Sequence, residues 1–293
     1  MSSDQASRLR NLAKGQPVEA PLFAARVVAI TSGKGGVGKT NVVAGLALSL
    51  AQLGQRVVVM DADFGLANLD ILLGLSPKFT LEHVLRGEKV MEEILLDGPM
   101  GTRIIPASSG IQELTRLDTM SELRLVQGLQ RVAEGADWLL IDTAAGIHDS
   151  VLKLLMAAQE VILVTTPEPT SLVDAYAMVK VLHLRDAAKS LWLLVNNGQS
   201  AEEAQETVDQ LQAATERFLG KQVRLLGMIP NDPHLLQAVR QQRSVVDLFP
   251  RCPATQAFRA LARQLLGEVS LQPDGFTAFW RQLASEDPQE EPG

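Results

Sequence analysis

Residues 33 to 40 read GKGGVGKT, and Gly33, Gly38, Lys39 and Thr40 satisfy the spacing GxxxxGK[ST] of a phosphate-binding loop. Glycines let the backbone adopt positive φ and turn several N–H groups onto one phosphate, while the helix that follows adds the partial positive charge of its N-terminus. Lys39 then reaches the β- and γ-phosphates, and the Thr40 hydroxyl ligates Mg²⁺. Gly35, Gly36, Val37 and Asn41 complete the expected cradle, which also includes Lys34. A plain turn with surface lysines would not need glycine at 33, 35, 36 and 38. Three carboxylates have the right placement to join this loop: Asp61 and Asp63 in VVVMDADFGLANLD, and Asp142 closing the apolar run WLLID. In an open α/β sheet ligands bind beyond the carboxyl ends of the strands, where such residues converge.

The elements that must carry these residues are legible. The loop lies between an apolar strand at 26 to 31, RVVAIT, and a helix from about Lys39 to a stop at Gly54. Further strands are expected at 55–63, 102–108, 137–146, 160–169, 190–198 and 223–232, all rich in Val, Ile and Leu. Near-continuous apolar runs imply strands buried on both faces, and their alternation with helical segments such as 201–219 implies a mainly parallel twisted α/β sheet flanked by helices on both sides. The chain has 293 residues, 46% of them hydrophobic and 21% charged, enough for a substantial core. It shows no apolar run of about eighteen residues and no secretory leader, so a cytoplasmic location is expected. Cys252 is the lone cysteine, which excludes an internal disulfide or a paired-thiolate cluster within one chain. Net charge is −7 with no basic cluster, so direct nucleic-acid binding is not expected.

GKGGVGKT resembles the deviant Walker A motif of the MinD/ParA family of ATPases, whose additional lysine matches Lys34. The resemblance spans roughly residues 26–267. It implies a P-loop fold, ATP/ADP and Mg²⁺ as cofactors, slow hydrolysis activated by dimerisation, and a homodimer in which Lys34 reaches the partner's nucleotide. It also implies Lys34, Lys39 and Asp63 as the catalytic set, with Asp63 orienting the attacking water, and Thr40, Asp61 and Asp142 around the metal. Asn68 and Asp70 match switch-positioning residues, and the Gly146 backbone in DTAAGI matches a γ-phosphate sensor. Thr143 and Ala144 stand where MinD relatives often carry Ser-Pro, a departure within that loop. Asn196 in LLVNN, with Asn197 beside it, and Pro230 and Asp232 in GMIPND match the adenine-flanking segments. Both stretches are also compatible with ordinary turns.

Residues 1–25 and 268–293 fall outside this domain. DQASRLR at 4–10 resembles the N-terminal motif of the FlhG (FleN/YlxH) branch of the family, implying that Asp4, Gln5, Ala6, Leu9 and Arg10 contact and stimulate the GTPase FlhF. In DGFTAFWRQL, Phe276, Phe279, Trp280 and Leu283 fall at i, i+3, i+4 and i+7, one face of a helix. Such a face resembles the membrane-targeting helix of this branch, which is the expectation here, with docking on the protein's own core as the alternative. Arg281 is its one cation and Glu286, Asp287, Glu290 and Glu291 follow, so anionic lipid gives little electrostatic help. The branch implies regulation of flagellar number and placement, reversible association with the inner face of the cytoplasmic membrane, and contacts with flagellar C-ring proteins and the activator FleQ. The alternatives are a MinD-type division-site regulator, a ParA-type partition ATPase, or a scaffold that binds ATP without turning it over.

Overall fold

The computed structural model describes residues 25–63, 68–107 and 119–267. The expectations for residues 4–10 and 276–283 lie outside them. The strands are β1 Arg26–Thr31, β2 Val57–Ala62, β3 Leu96–Asp97, β4 Arg103–Ile105, β5 Trp138–Thr143, β6 Glu160–Thr165, β7 Ser190–Gly198 and β8 Arg224–Pro230. They form one sheet in the order β3-β4-β2-β5-β1-β6-β7-β8. Every neighbouring pair is parallel except β3 with β4. The short antiparallel β3 was not expected: two residues, Leu96 and Asp97, carry too little pattern to signal a strand.

The major helices are α1 Lys39–Gln52, α5 Thr119–Ala133, α6 Asp149–Ala157, α7 Pro169–Arg185, α8 Ala201–Leu219, α9 Pro233–Arg240 and α11 Pro253–Gly267. Four single turns, α2 Leu69–Leu72, α3 Leu81–Leu85, α4 Met91–Ile94 and α10 Val245–Leu248, fill the intervals. Successive strand residues point to opposite faces. Val28 and Ile30 of β1 therefore pack with Leu46 and Leu50 of α1 and Phe258 and Leu265 of α11. Val27 and Ala29 pack on the other side with Leu129 of α5, Leu155 of α6 and Val179 of α7. All six residues of β1 are buried, as a central strand covered on both faces requires.

Two close approaches fix the helices. Gly45 in α1 lies under the Phe258 ring, where a Cβ would stand 2.5 Å from ring carbons. Arg26, at the start of β1, is buried and donates to Glu160 Oε2 at 2.8 Å, stacks 4.7 Å above the Trp138 ring, and donates to the Leu265 carbonyl near the end of α11. The partners of this buried guanidinium are well placed to offset its desolvation.

β1 sits between β5 and β6 at the centre of the sheet. The chain leaves β1 directly into the glycine loop, and β2, β5 and β6 end beside it.

Candidate nucleotide site

The loop from Gly33 to Gly38 has the conformation its glycines allow. Gly36 and Gly38 take φ of 82° and 87°, left-handed values that side chains disfavour. Gly33 is needed for contact, since a Cβ there would lie 2.4 Å from the Asp174 carbonyl of α7. Gly35 has neither constraint: its φ is not positive and a Cβ would meet nothing within 4 Å. The folded chain by itself thus gives a steric or conformational reason for three of the four glycines, at 33, 36 and 38.

Lys39 and Lys34 point to different places. Lys39 Nζ is buried and lies 2.7 Å from Asp142 Oδ1, and the Thr40 hydroxyl also hydrogen-bonds Asp142. Burial pushes the Asp142 carboxyl up, and Lys39 and Thr40 act against that shift. Lys34 instead reaches along the outside of the loop, its Nζ 3.1 Å from both Glu168 Oε2 and Thr170 Oγ1 at the start of α7, with 41% of its side chain exposed. Asn41 is half-buried in the first turn of α1.

Asp61 and Asp142 are register partners on β2 and β5. Burial, and then the neighbouring Asp142, raise the Asp61 carboxyl from 3.8 to about 7. Asp61 Oδ1 accepts from the Asp63 amide at 3.0 Å, and Oδ2 accepts from the Asn68 and Leu69 amides at 3.3 and 3.2 Å. Expected near the metal, Asp61 uses both oxygens to hold the ends of the 63–69 segment and the start of α2. Asp63 is half-buried and close enough to act electrostatically on both Asp61 and Asp142. Asp142 and Thr40 thus offer hard oxygens beside the buried Lys39, with Asp61 and Asp63 acting electrostatically from nearby. A donor set of hard oxygens with excess negative charge fits Mg²⁺.

The Gly146 amide, expected at the γ-phosphate, donates to the Ser32 carbonyl at 2.9 Å, with Gly146 at φ 91°. Thr143 donates to the Ile30 carbonyl at 3.0 Å, so both ends of this turn are fastened to β1 and its exit.

The residues matched to the adenine side lie at or just beyond the ends of β7 and β8. Asn196 is buried, and its Nδ2 donates to the Val37 carbonyl at 2.7 Å while lying where a Gly38 Cβ would stand. It buttresses the loop. Asn197, exposed at φ 63°, is the neighbouring amide open to solvent. Pro230 ends β8, half-buried. Asp232 caps two helices: it accepts from the His234 amide of α9 and from the Ala254 amide of α11, both at 3.0 Å. Burial alone would raise its carboxyl, but these amides, the His234 ring and the Cys252 thiol prevail and hold it at about 2.

Glu168, Thr170 and Asp174 escaped sequence reading although all three touch the loop. The Pro169 that starts α7 was their one local signal, marking the first turn of a helix.

No helix among the described residues is long and apolar enough to cross a membrane. A ParA family model, described as NUBPL iron-transfer P-loop NTPase, matches residues 24–266. The antiactivator FleN of Pseudomonas aeruginosa is 46% identical over 82% of this chain and 86% of its own. The flagellum site-determining protein YlxH of Helicobacter pylori is 32% identical over 88% of this chain and 89% of its own. Among solved structures, the septum site-determining protein MinD complexed with Mg-ADP from Pyrococcus horikoshii superposes with a TM-score of 0.68 at 28% identity, covering 85% of this chain and 99% of that one.

Proposed function

Since the chain belongs to the MinD/ParA family of P-loop ATPases and to its FleN/YlxH branch, we propose that it is an ATP-driven monomer–dimer switch regulating flagellar number and placement. The observation that carries this reading is the divergence of the two loop lysines. Lys39 turns inward to Asp142, whereas Lys34 lies outside its own cradle and half-exposed, available to a triphosphate other than its own.

In the closed dimer, Lys39 and the main chain of Gly35 to Thr40 hold the β- and γ-phosphates. Lys34 leaves Glu168 to neutralise the γ-phosphate of the facing protomer. Thr40 and Asp142 would hold Mg²⁺, which would neutralise the negative charge of the phosphates. Asp63 orients a water whose oxygen attacks the γ-phosphorus as the bond to the β,γ-bridging oxygen breaks, giving ADP and phosphate. Asp61 acts as a positioning residue by fixing the backbone on either side of that step. Asn197 and the backbone from Pro230 to Asp232 flank the base. Turnover is slow because the main stabilising charges assemble only on dimerisation.

The names of the relatives support the flagellar role, since one is an antiactivator and another determines a flagellar site. Stimulation of FlhF by residues 4–10, membrane contact through residues 276–283, and contacts with C-ring proteins and FleQ belong to the same reading and rest on the sequence motifs. The test is the oligomeric state by size-exclusion chromatography with light scattering, in ADP and in ATP. Wild type with ATP and Mg²⁺ should dimerise and Lys34→Ala should not, while still binding nucleotide as a monomer. An ATP-loaded wild type that stays a single chain would overturn the switch.

A further inference from the structure

Beyond the phosphate loop, three potential metal ligands meet where β8 hands the chain to α9 and where α11 begins. The carboxylate of Asp232, the imidazole of His234 and the thiol of Cys252 offer ligand atoms that all lie within 4.8 Å of one another. Asp232 and Cys252 are buried, and His234 is partly open to solvent with 40% of its side chain exposed. We propose that these three residues form a binding site for a thiophilic divalent cation of the zinc class, separate from the Mg²⁺ chemistry of the nucleotide site.

The geometry supports the assignment in three ways. His234 Nδ1 stands 2.7 Å from Asp232 Oδ1, and its ring is held against Phe249 at 4.6 Å between centroids. Cys252 Sγ falls within the same 4.8 Å cluster as the Asp232 carboxylate, so sulfur, imidazole and carboxylate ligand atoms are already gathered in one place. The backbone carrying them is fixed: Asp232 caps both α9 and α11, and Cys252 Sγ lies 3.4 Å from Thr255 Oγ1 in the first turn of α11. Tetrahedral zinc with bonds of about 2.0–2.3 Å needs ligand separations of roughly 3.3–3.8 Å. The present cluster reaches that spacing through small side-chain rotations.

Charge balance is favourable. With its proton on Nε2 the imidazole presents a lone pair at Nδ1, and the cation displaces the thiol proton to solvent. One carboxylate, one thiolate and one divalent cation then sum to zero. The exposed side of His234 leaves a fourth position for water. The N-termini of α9 and α11 point toward the cluster, so their dipoles weaken the site relative to a closed structural zinc site. A soft sulfur ligand excludes Mg²⁺, which prefers oxygen.

The chain contains one cysteine, so any thiolate–metal band reports on Cys252 alone. The full chain, freed of metal with a chelator and kept in a non-thiol reductant, is titrated with Co²⁺ and followed in the near ultraviolet. A thiolate-to-cobalt charge-transfer band saturating at about one equivalent is expected, bleached by Zn²⁺ and untouched by millimolar Mg²⁺. Cys252→Ser should lose the band, and His234→Gln should bind at least about tenfold more weakly. Both variants leave the two backbone caps at Asp232 in place, and cooperative melting of each without metal shows that it is folded. No band in the folded wild type, or an unchanged cobalt affinity in His234→Gln, would overturn the site.

Discussion

Lys34 Nζ and Glu168 Oε2 lie 3.1 Å apart, an ion pair that holds the outer lysine of the phosphate loop against the first turn of α7. In the proposed dimer this pair must open before Lys34 can reach across. An exposed pair of this kind contributes about 0.2–1 kcal/mol, so it restrains the lysine without trapping it. Glu168→Ala should leave the melting temperature nearly unchanged and tighten ATP-dependent dimerisation by up to about fivefold, read by analytical ultracentrifugation. Weaker dimerisation in that variant would instead give Glu168 a role in the closed state.

Asp63 is the residue assigned to the attacking water. Asp63→Ala should retain ATP binding, accumulate the dimer, and slow single-turnover hydrolysis by roughly 10²–10⁴-fold. A scaffold that holds ATP without turnover predicts equal rates for variant and wild type, so rapid quench separates the two readings.

Asp61 makes the nucleotide-free protein sensitive to pH. Its folded value of about 7 lies above the ordinary 3.8, so the folded state takes up a proton more readily than the unfolded chain. The associated stability is fully present below about pH 4 and is lost as the pH rises through about 7. Denaturant unfolding of wild type and Asp61→Asn across pH 4 to 8 should show wild type losing ground with rising pH, by at most about 4 kcal/mol. A difference independent of pH would mean that Asp61 stays ionised throughout.

Asp232 closes the N-termini of α9 and α11 together. Removing two caps by Asp232→Ala should cost roughly 2–3 kcal/mol, measured by chemical denaturation. Asp232→Asn keeps a single accepting oxygen, so it can cap one of the two helices and should recover only part of that loss.

Gly45 is a packing glycine. Gly45→Ala pushes a methyl group into the Phe258 ring and should destabilise by roughly 1–3 kcal/mol. Phe258→Leu combined with it should restore part of the loss, since the smaller side chain vacates the contact; strictly additive losses would place the strain elsewhere.

How far sequence carries depends on how local the cause is. The strand β1, the loop and α1 are legible because apolar run, glycines and helix spacing are all contiguous. The helix expected at 201–219 is found at Ala201–Leu219, where Ser200 caps one end and Gly220, at φ 61°, terminates the other. Asp61 and Asp142 can be seen as strand-end carboxylates, but their mutual repulsion arises from β2 and β5 being neighbours, which no local pattern encodes. The same holds for Asn196, which is recognisable as a strand-end amide yet gains its contact with Val37 only when β7 and the loop meet. Beyond the helix start marked by Pro169, Glu168 and Asp174 could not be read, because their contacts with the loop exist only after α7 has packed.

The clasp of Arg26 on Glu160 and the Leu265 carbonyl brings the entrance to β1 and the end of α11 to a single rim of the sheet. Phosphate chemistry occupies the other rim, a strand's length away. The described chain thus begins and ends on the side of the sheet away from the nucleotide loop, so a label attached at either of these two points starts clear of the phosphates.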